Sequence, residues 1–240
     1  MLAVIETTGD GDVAVLTLAH GQVNALDLEL LTALPDAFAE VADAAAVVLT
    51  GAGRCFSAGV DLKRIVEGGR PYVERFLPAL ATAVLTVFDH PRPVVAAVNG
   101  HALAGGCVLA AACDRRLMSG GTIGLTELAA GVPFPTVPLE VMRHAAGPAL
   151  DRLVLTHVRL NPAQAAAIGL VDQSADVMAD ALAAARELAT APPEVYALTK
   201  AQLHRPALER ISAGRDDVVV TEMWAAEETR ARLRTFLAAL

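Results

Sequence analysis

The sequence predicts an α/β chain, a core of short strands alternating with helices that is followed by a helical C-terminal region. Three observations carry that prediction. Short runs of β-branched and aliphatic residues recur through the first half, each bounded by glycine or proline. Helical apolar spacing lies between them, and beyond Thr126 the pattern becomes almost wholly helical. Hydrophobic residues make up 54% of the 240 positions and aromatic residues only 4%. Alanine fills about a fifth of the chain, so the interior is built of small side chains that let helices and strands approach closely.

The elements follow in order. Val13 to Leu18 reads as a strand, Leu26 to Val41 as an amphipathic helix opened by Asp27, and Val47 to Thr50 as a buried strand. A glycine-punctuated loop from Gly51 to Asp61 leads to a short helix and then to a longer one over Tyr72 to Asp89, closed by Pro91 and Pro93. Val94 to Val98 is the next strand, and Asn99 to Gly106 opens an alanine-rich helix that ends near Cys113. Two short strands fit between Arg115 and Gly124. Asn161-Pro162 starts a helix, with asparagine as cap and proline at the first position. Leu170 to Asp172 reads as a last strand, before helices over Val177 to Ala189, Glu194 to Ile211 and Val218 to Leu237. No linker or fixed-period repeat intervenes, and the change of pattern divides the chain into a core over residues 1–175 and a helical region over residues 176–240.

Charge and composition exclude several partners. Nineteen basic against 27 acidic residues give a net charge of -8 with no basic run, which argues against nucleic acid. Mean hydropathy is +0.46, yet polar residues interrupt every apolar stretch before the ~20 residues a membrane span needs, so no membrane partner is expected. Met1 to Gly11 carries acids and no basic segment, and a targeting peptide is not expected. Cys55, Cys107 and Cys113 are odd in number and lack CxxC spacing, which fits reduced thiols and a cytoplasmic location better than disulfides or zinc.

Gly51-Ala52-Gly53 follows a strand, but Phe56 stands where a dinucleotide fingerprint needs its third glycine, and no phosphate-binding lysine motif is present. Two glycine turns at strand-to-helix junctions remain: Ala58-Gly59-Val60-Asp61 and Leu103-Ala104-Gly105-Gly106. Each is open to reading as an ordinary tight turn. Together they would also bare backbone N–H groups, and two converging N–H donors form an oxyanion hole that stabilises charge on a carbonyl oxygen.

These residues carry a resemblance. Asn24-Ala25-Leu26, Val48 to Gly51, Cys55 to Leu62, Pro93 to Ala102, Gly105-Gly106-Cys107, Cys113-Asp114, Ile123 to Glu127, Gly131-Val132-Pro133, Ala165 to Val171 and Trp224 to Leu237 resemble, in order, the crotonase superfamily of enoyl-CoA hydratases and isomerases. The resemblance implies a crotonase-like spiral of repeated ββα and βαβ turns with a helical trimerisation region. It also implies an acyl-CoA thioester as substrate, coenzyme A entering as part of it with no separate cofactor or metal. The oxyanion donors would be the N–H groups of Val60 and Gly105. Val23, Ala25, Ala58, Asp61, Leu62, Ala104, Gly106 and Gly131 would contact substrate or coenzyme, with Arg54 and Lys63 as local cations against an overall charge that repels it. Assembly as a homotrimer or dimer of trimers is expected.

Departures from the family pattern narrow the reaction. Hydratases of the family hold water between two glutamates; here the first position is Val108 and the second is Glu127. Valine offers neither a hydrogen bond nor a proton. Moving a double bond from C3–C4 to C2–C3 needs one carboxylate to take a proton from C2 and return it at C4, so isomerisation with Glu127 as proton shuttle is favoured. A 2-enoyl-CoA hydratase is the alternative, and a non-catalytic acyl-CoA binding protein is the alternative of another class. The segment Gly131 to Pro138, stiffened by three prolines, is expected to wall the acyl pocket. Glu140 is a replacement acid or else a surface helix residue. His101 is expected to pack or hydrogen-bond at a strand end, Cys107 to be a small buried residue, and Asp114 to be solvated or paired.

Overall fold

Runs of valine, leucine and alanine with no charge between them must be covered on both faces, as parallel strands are. The computed structural model describes residues 4–214 and 217–239. In chain order the elements are β1 (Ile5–Asp10), β2 (Val13–Leu18), α1 (Leu28–Glu40), β3 (Ala46–Gly51), β4 (Cys55–Ser57), α2 (Leu62–Phe88), β5 (Val94–Val98), β6 (His101–Leu103), α3 (Gly105–Ala111), β7 (Arg115–Met118) and β8 (Ile123–Gly124). Then come α4 (Glu127–Ala130), α5 (Thr136–Ala146), α6 (Leu150–Thr156), β9 (Arg159–Leu160), α7 (Pro162–Ala167), β10 (Asp172–Gln173), α8 (Val177–Leu188), α9 (Pro193–Ser212), α10 (Asp217–Ala225) and α11 (Glu227–Ala238).

The strands form two sheets. The larger has the order β1-β2-β3-β5-β7-β10 and the smaller β4-β6-β8-β9. Only β1 against β2 and β8 against β9 run antiparallel. The chain therefore repeats one step: a strand in the larger sheet, a strand in the smaller, then a helix, as β3-β4-α2, β5-β6-α3 and β7-β8-α4. Each step moves one strand along both sheets, so the loops leaving the smaller sheet stand side by side at one edge.

Side chains explain where the helices sit. Val13, Val15, Ala46, Val48, Val95 and Ala97 face α8, which meets them with Ala181, Ala184 and Ala185. The opposite face, with Leu16, Val47, Leu49 and Ala96, packs under α1 and α2 in the main core. Alanine on α8 is what lets a helix lie close on a sheet of β-branched residues. Asp27 caps α1 by accepting from the Leu30 N–H, and Asp61 caps α2 by accepting from the Lys63 and Arg64 N–H groups. Asn161 caps α7 with Pro162 at its first turn, as the sequence predicts, and Gln164 completes a reciprocal capping box.

The structure departs from expectation at particular places. β1, β4, β6 and β9 are strands that sequence patterning does not show, and β10 begins at Asp172, later than the expected Leu170. The expected short and long helices after Asp61 are both present within α2, meeting at Gly69, whose φ of +56° and ψ of -151° are not helical. The single helix expected over Val218 to Leu237 is two, α10 and α11, separated at Ala226 with φ -65° and ψ 140°.

The tight α8 contact makes a prediction. Ala185→Leu, fully buried against the sheet, should lower unfolding stability by about 1–3 kcal/mol in urea melts. Ala183→Leu, on the exposed side of the same helix, should stay within about 0.5 kcal/mol of the parent.

Candidate active site

The first glycine turn is held by Asn24. This residue is buried, sits at φ +50°, and donates from Nδ2 to the carbonyl of Cys55 at 2.8 Å and to those of Ala52 and Phe56 at 3.3 Å. Its own carbonyl accepts from Ser57 Oγ at 2.7 Å, and that Oγ accepts the Gly59 N–H at 3.1 Å. Leu26 N–H donates to the Gly59 carbonyl and Asp61 N–H to the Leu26 carbonyl. Val60 is thus fixed by backbone bonds on both sides, while its own N–H has no acceptor among the described residues.

The second turn lies directly against the first. Ala104 takes φ +49° and ψ -122°, an uncommon conformation for a residue with a side chain, and turns the chain from β6 into α3. A β-carbon on Gly59, itself at φ +84°, would stand 2.5 Å from the Leu103 carbonyl oxygen and 3.1 Å from the Gly105 nitrogen. One on Gly105 would meet Leu26 Cδ1 at 2.8 Å. Glycine is required at Gly59 for the two turns to touch, whereas a β-carbon at Gly105 would need only the end of the Leu26 side chain to move.

A cavity of about 410 Å³ opens beside this contact. Val23, Ala25, Ala58, Val60, Asp61 and Leu62 line one side, and Leu103, Ala104, Thr126 and Glu127 the other. Ala130, Val132, Arg159, Trp224, Phe236 and Leu237 complete the wall, with Lys63 at the α2 end. Gly105 and Gly106 are buried behind the lining, Gly106 against the Ser57 backbone, and Gly131 backs onto Arg232. Arg54 is exposed and does not reach the cavity. Val132 supplies the wall expected of the proline segment, and the next residue's carbonyl accepts from Trp224 Nε1 at 2.9 Å. Trp224, Phe236, Leu237 and Arg159 are lining residues that the sequence did not mark as site residues, although the first three fall in the closing stretch of the resemblance.

Glu127 begins α4 and is 8% exposed. Its Oε2 is buried without a hydrogen-bond partner among the described residues. Burial pushes its carboxyl up to about 7, against weaker lowering by the N–H groups of Glu127 and Thr126. A carboxylate that is desolvated, unpartnered and turned toward a cavity can exchange protons near neutral pH. Val108 is buried within the core and contributes no lining surface.

The other candidates lie elsewhere. Glu140 is buried, not on the surface, and is held by Arg143 at 3.2 Å and by Arg210 on α9; it does not line the cavity. His101 is exposed and bonds through Nδ1 with Thr122. The Cys107 thiol is buried and pushed far up by desolvation, which makes it inert. Asp114 accepts from the Val94 N–H at 2.7 Å and from Lys200 at 2.9 Å. That pair borders a second cavity of about 320 Å³ beneath α9.

With this geometry in hand, comparison with known proteins gives a consistent result. The family model for enoyl-CoA hydratase/isomerase matches residues 8–231. The chain belongs to the enoyl-CoA hydratase/isomerase family. A Thermus thermophilus relative named for enoyl-CoA hydratase is 38% identical over 72% of this chain and 71% of its own. Carnitinyl-CoA dehydratase of Salmonella typhi is 29% identical over 85% of this chain and 81% of its own. The crystal structure of human mitochondrial delta3-delta2-enoyl-CoA isomerase superposes with a TM-score of 0.93 at 26% identity, over 99% of this chain and 98% of that one. The family acts on acyl-CoA thioesters, and its members named here span more than one reaction.

Burying Glu127 should be visible in stability. Its carboxyl lies near 7 folded against 4.5 for an ordinary glutamate, so the folded state holds the proton more tightly and loses stability as pH rises between those values. Relative to Glu127→Gln, the parent should therefore lose about 3 kcal/mol between pH 4 and pH 8, read as the difference of their urea-melt stabilities. A constant difference would mean the carboxyl titrates normally.

Proposed function

We propose that this protein is an enoyl-CoA isomerase that moves a C3–C4 double bond to C2–C3, with Glu127 as the single proton shuttle. The observation that carries this reading is a lining with one buried, unpartnered carboxylate. Asp61, the other acid on the wall, is committed to capping α2.

The steps follow from the residues. The thioester carbonyl sits at the junction of the two glycine turns, where the N–H groups of Val60 and Gly105 donate to its oxygen. Ionised Glu127 removes a proton from C2, and the electrons pass through the conjugated system onto that oxygen as a dienolate. The two donors stabilise the charge, with a contribution of about 3 kcal/mol each. Protonated Glu127 then delivers the proton to C4, the carbonyl re-forms, and the double bond lies between C2 and C3. Shuttling needs a group that is both a competent base and a competent acid, and a carboxyl near 7 is poised for both directions. The apolar wall keeps bulk water from the dienolate. Hydration would need a second group to orient water, and Val108, at the position where family hydratases carry a glutamate, supplies none. The coenzyme's phosphates would lie toward Lys63 at the α2 end.

Assembly belongs to the same proposal. α9 and α10 leave Leu198, Leu203 and Val218 61%, 64% and 76% exposed, a surface suited to packing against further copies as a homotrimer or dimer of trimers.

Activity tests the reading directly. A 3-enoyl-CoA should be isomerised, and crotonyl-CoA should be hydrated slowly or not at all; rapid hydration without isomerisation would establish the hydratase instead. Glu127→Gln should lower kcat by about 10²–10⁴-fold while the thioester still binds. Because the free enzyme needs ionised Glu127 to begin, kcat/KM should rise tenfold per pH unit below about 7 and level above it. Tight acyl-CoA binding in calorimetry with no turnover across a thioester panel would instead indicate a binding protein.

A further inference from the structure

The smaller sheet orders the cavity. Across β4-β6-β8-β9, the segments at one edge carry, in turn, Val60, Gly105, Glu127 and Arg159. Leu103, Gly124 and Arg159 are in register across β6, β8 and β9, which places them on one face of the sheet. Leu103 and Arg159 both line the cavity, whereas Gly124 between them is buried and does not. A β-carbon on Gly124 would stand 2.3 Å from the Val158 carbonyl oxygen, so glycine is what lets β9 pack close to β8. With strands about 4.8 Å apart, β9 lies about 10 Å beyond β6, on the side of the oxyanion turns away from Lys63.

Two cations therefore mark the two ends of the cavity, Lys63 past β4 and Arg159 on β9, with the thioester junction and Glu127 between them. Neither forms an ion pair within 4.0 Å among the described residues. Arg159 also makes no side-chain hydrogen bond among them, and no cation contributes to the titration of Glu127, so its guanidinium is not engaged with the catalytic acid. The apolar part of the lining, Ala130, Val132, Trp224, Phe236 and Leu237, would suit a plain hydrocarbon chain without any cation. Arg159 is itself exposed, so its guanidinium stands hydrated at the rim of this lining, where a planar fork of N–H donors matches a carboxylate.

We propose that Arg159 binds a carboxylate at the far end of the acyl group, making the preferred substrate an enoyl-CoA derived from a dicarboxylic acid. The assignment rests on the thioester reading above, because the order of groups along the cavity takes Lys63 as the coenzyme end. An acid-ended substrate would be anionic at both extremities, held at each by one cation, with its reacting carbons over Glu127. The uncharged middle of the chain would lie along the apolar wall.

The test uses 3-enoyl-CoA thioesters in matched pairs of equal length, one ending in methyl and one in carboxylate, over a series of lengths. Turnover and binding, the latter with the saturated analogues, are measured for the parent, Arg159→Met and Arg159→Lys. The parent should favour the acid-ended member at one length or more. Arg159→Met should lower the acid-to-methyl ratio of kcat/KM by about 10- to 100-fold, and Arg159→Lys should restore part of it. A parent preference for methyl at every length, or an equal effect of Arg159→Met on both members, would overturn the assignment. Weakened binding of coenzyme A itself by Arg159→Met would also overturn it, by placing the guanidinium on the phosphates. An Arg159-dependent preference in binding without isomerisation would sustain the assignment and sink the isomerase reading. Isomerisation without that preference would do the reverse.

Discussion

Two turns of backbone meet with no side chain between them, and the rest of the site is arranged around that contact. Gly59 faces the Leu103 carbonyl and the Gly105 nitrogen at a distance that excludes a β-carbon. Hydrogen bonds from Asn24 and Ser57 hold one turn, and the step from β6 into α3 holds the other. The parallel strands below bring the turns to the same edge, and their burial on both faces is what keeps that edge rigid. In the proposed reaction, donors aimed by backbone would need no reorganisation as charge develops, and the uncommon backbone conformation of Ala104 accompanies that contact.

Glu127 shows the opposite use of packing. Most buried acids here are neutralised by partners, as Glu140 is by Arg143 and Arg210 and Asp114 by Lys200. Glu127 alone among these is left with an unpartnered oxygen. The fold forgoes stability at one position and keeps a group whose proton is easily moved, while nearby carboxylates of similar burial are locked into structure.

The legible parts of the sequence were those whose burial is complete. Val13 to Leu18 and Val94 to Val98 coincide with β2 and β5, because strands covered on both faces read as unbroken apolar runs. β4 and β6 are three residues long and lie in glycine-rich segments, where no periodicity can develop. The break at Ala226 has no glycine or proline to announce it and is set by packing of α10 and α11 on α2. Glycine spacing and family resemblance pointed to both turns and to Glu127, all of which border one cavity or support its edge. Arg159 and Trp224 escaped because their place depends on register across β8 and β9 and on a hydrogen bond spanning 91 positions to Pro133. Glu140 was misread as a surface residue for the same reason, since its partner Arg210 is 70 positions away.

The wall that includes Trp224, Phe236 and Leu237 has a consequence for how the protein comes into being. Every strand precedes these residues in the chain, so both sheets and the touching turns can form while the last helices are still being synthesised. At that moment the two glycine turns would face open water, and Trp224 would not yet be joined to Pro133. The lining of the cavity is therefore complete only once the last two helices have been made, because Trp224, Phe236 and Leu237 belong to it.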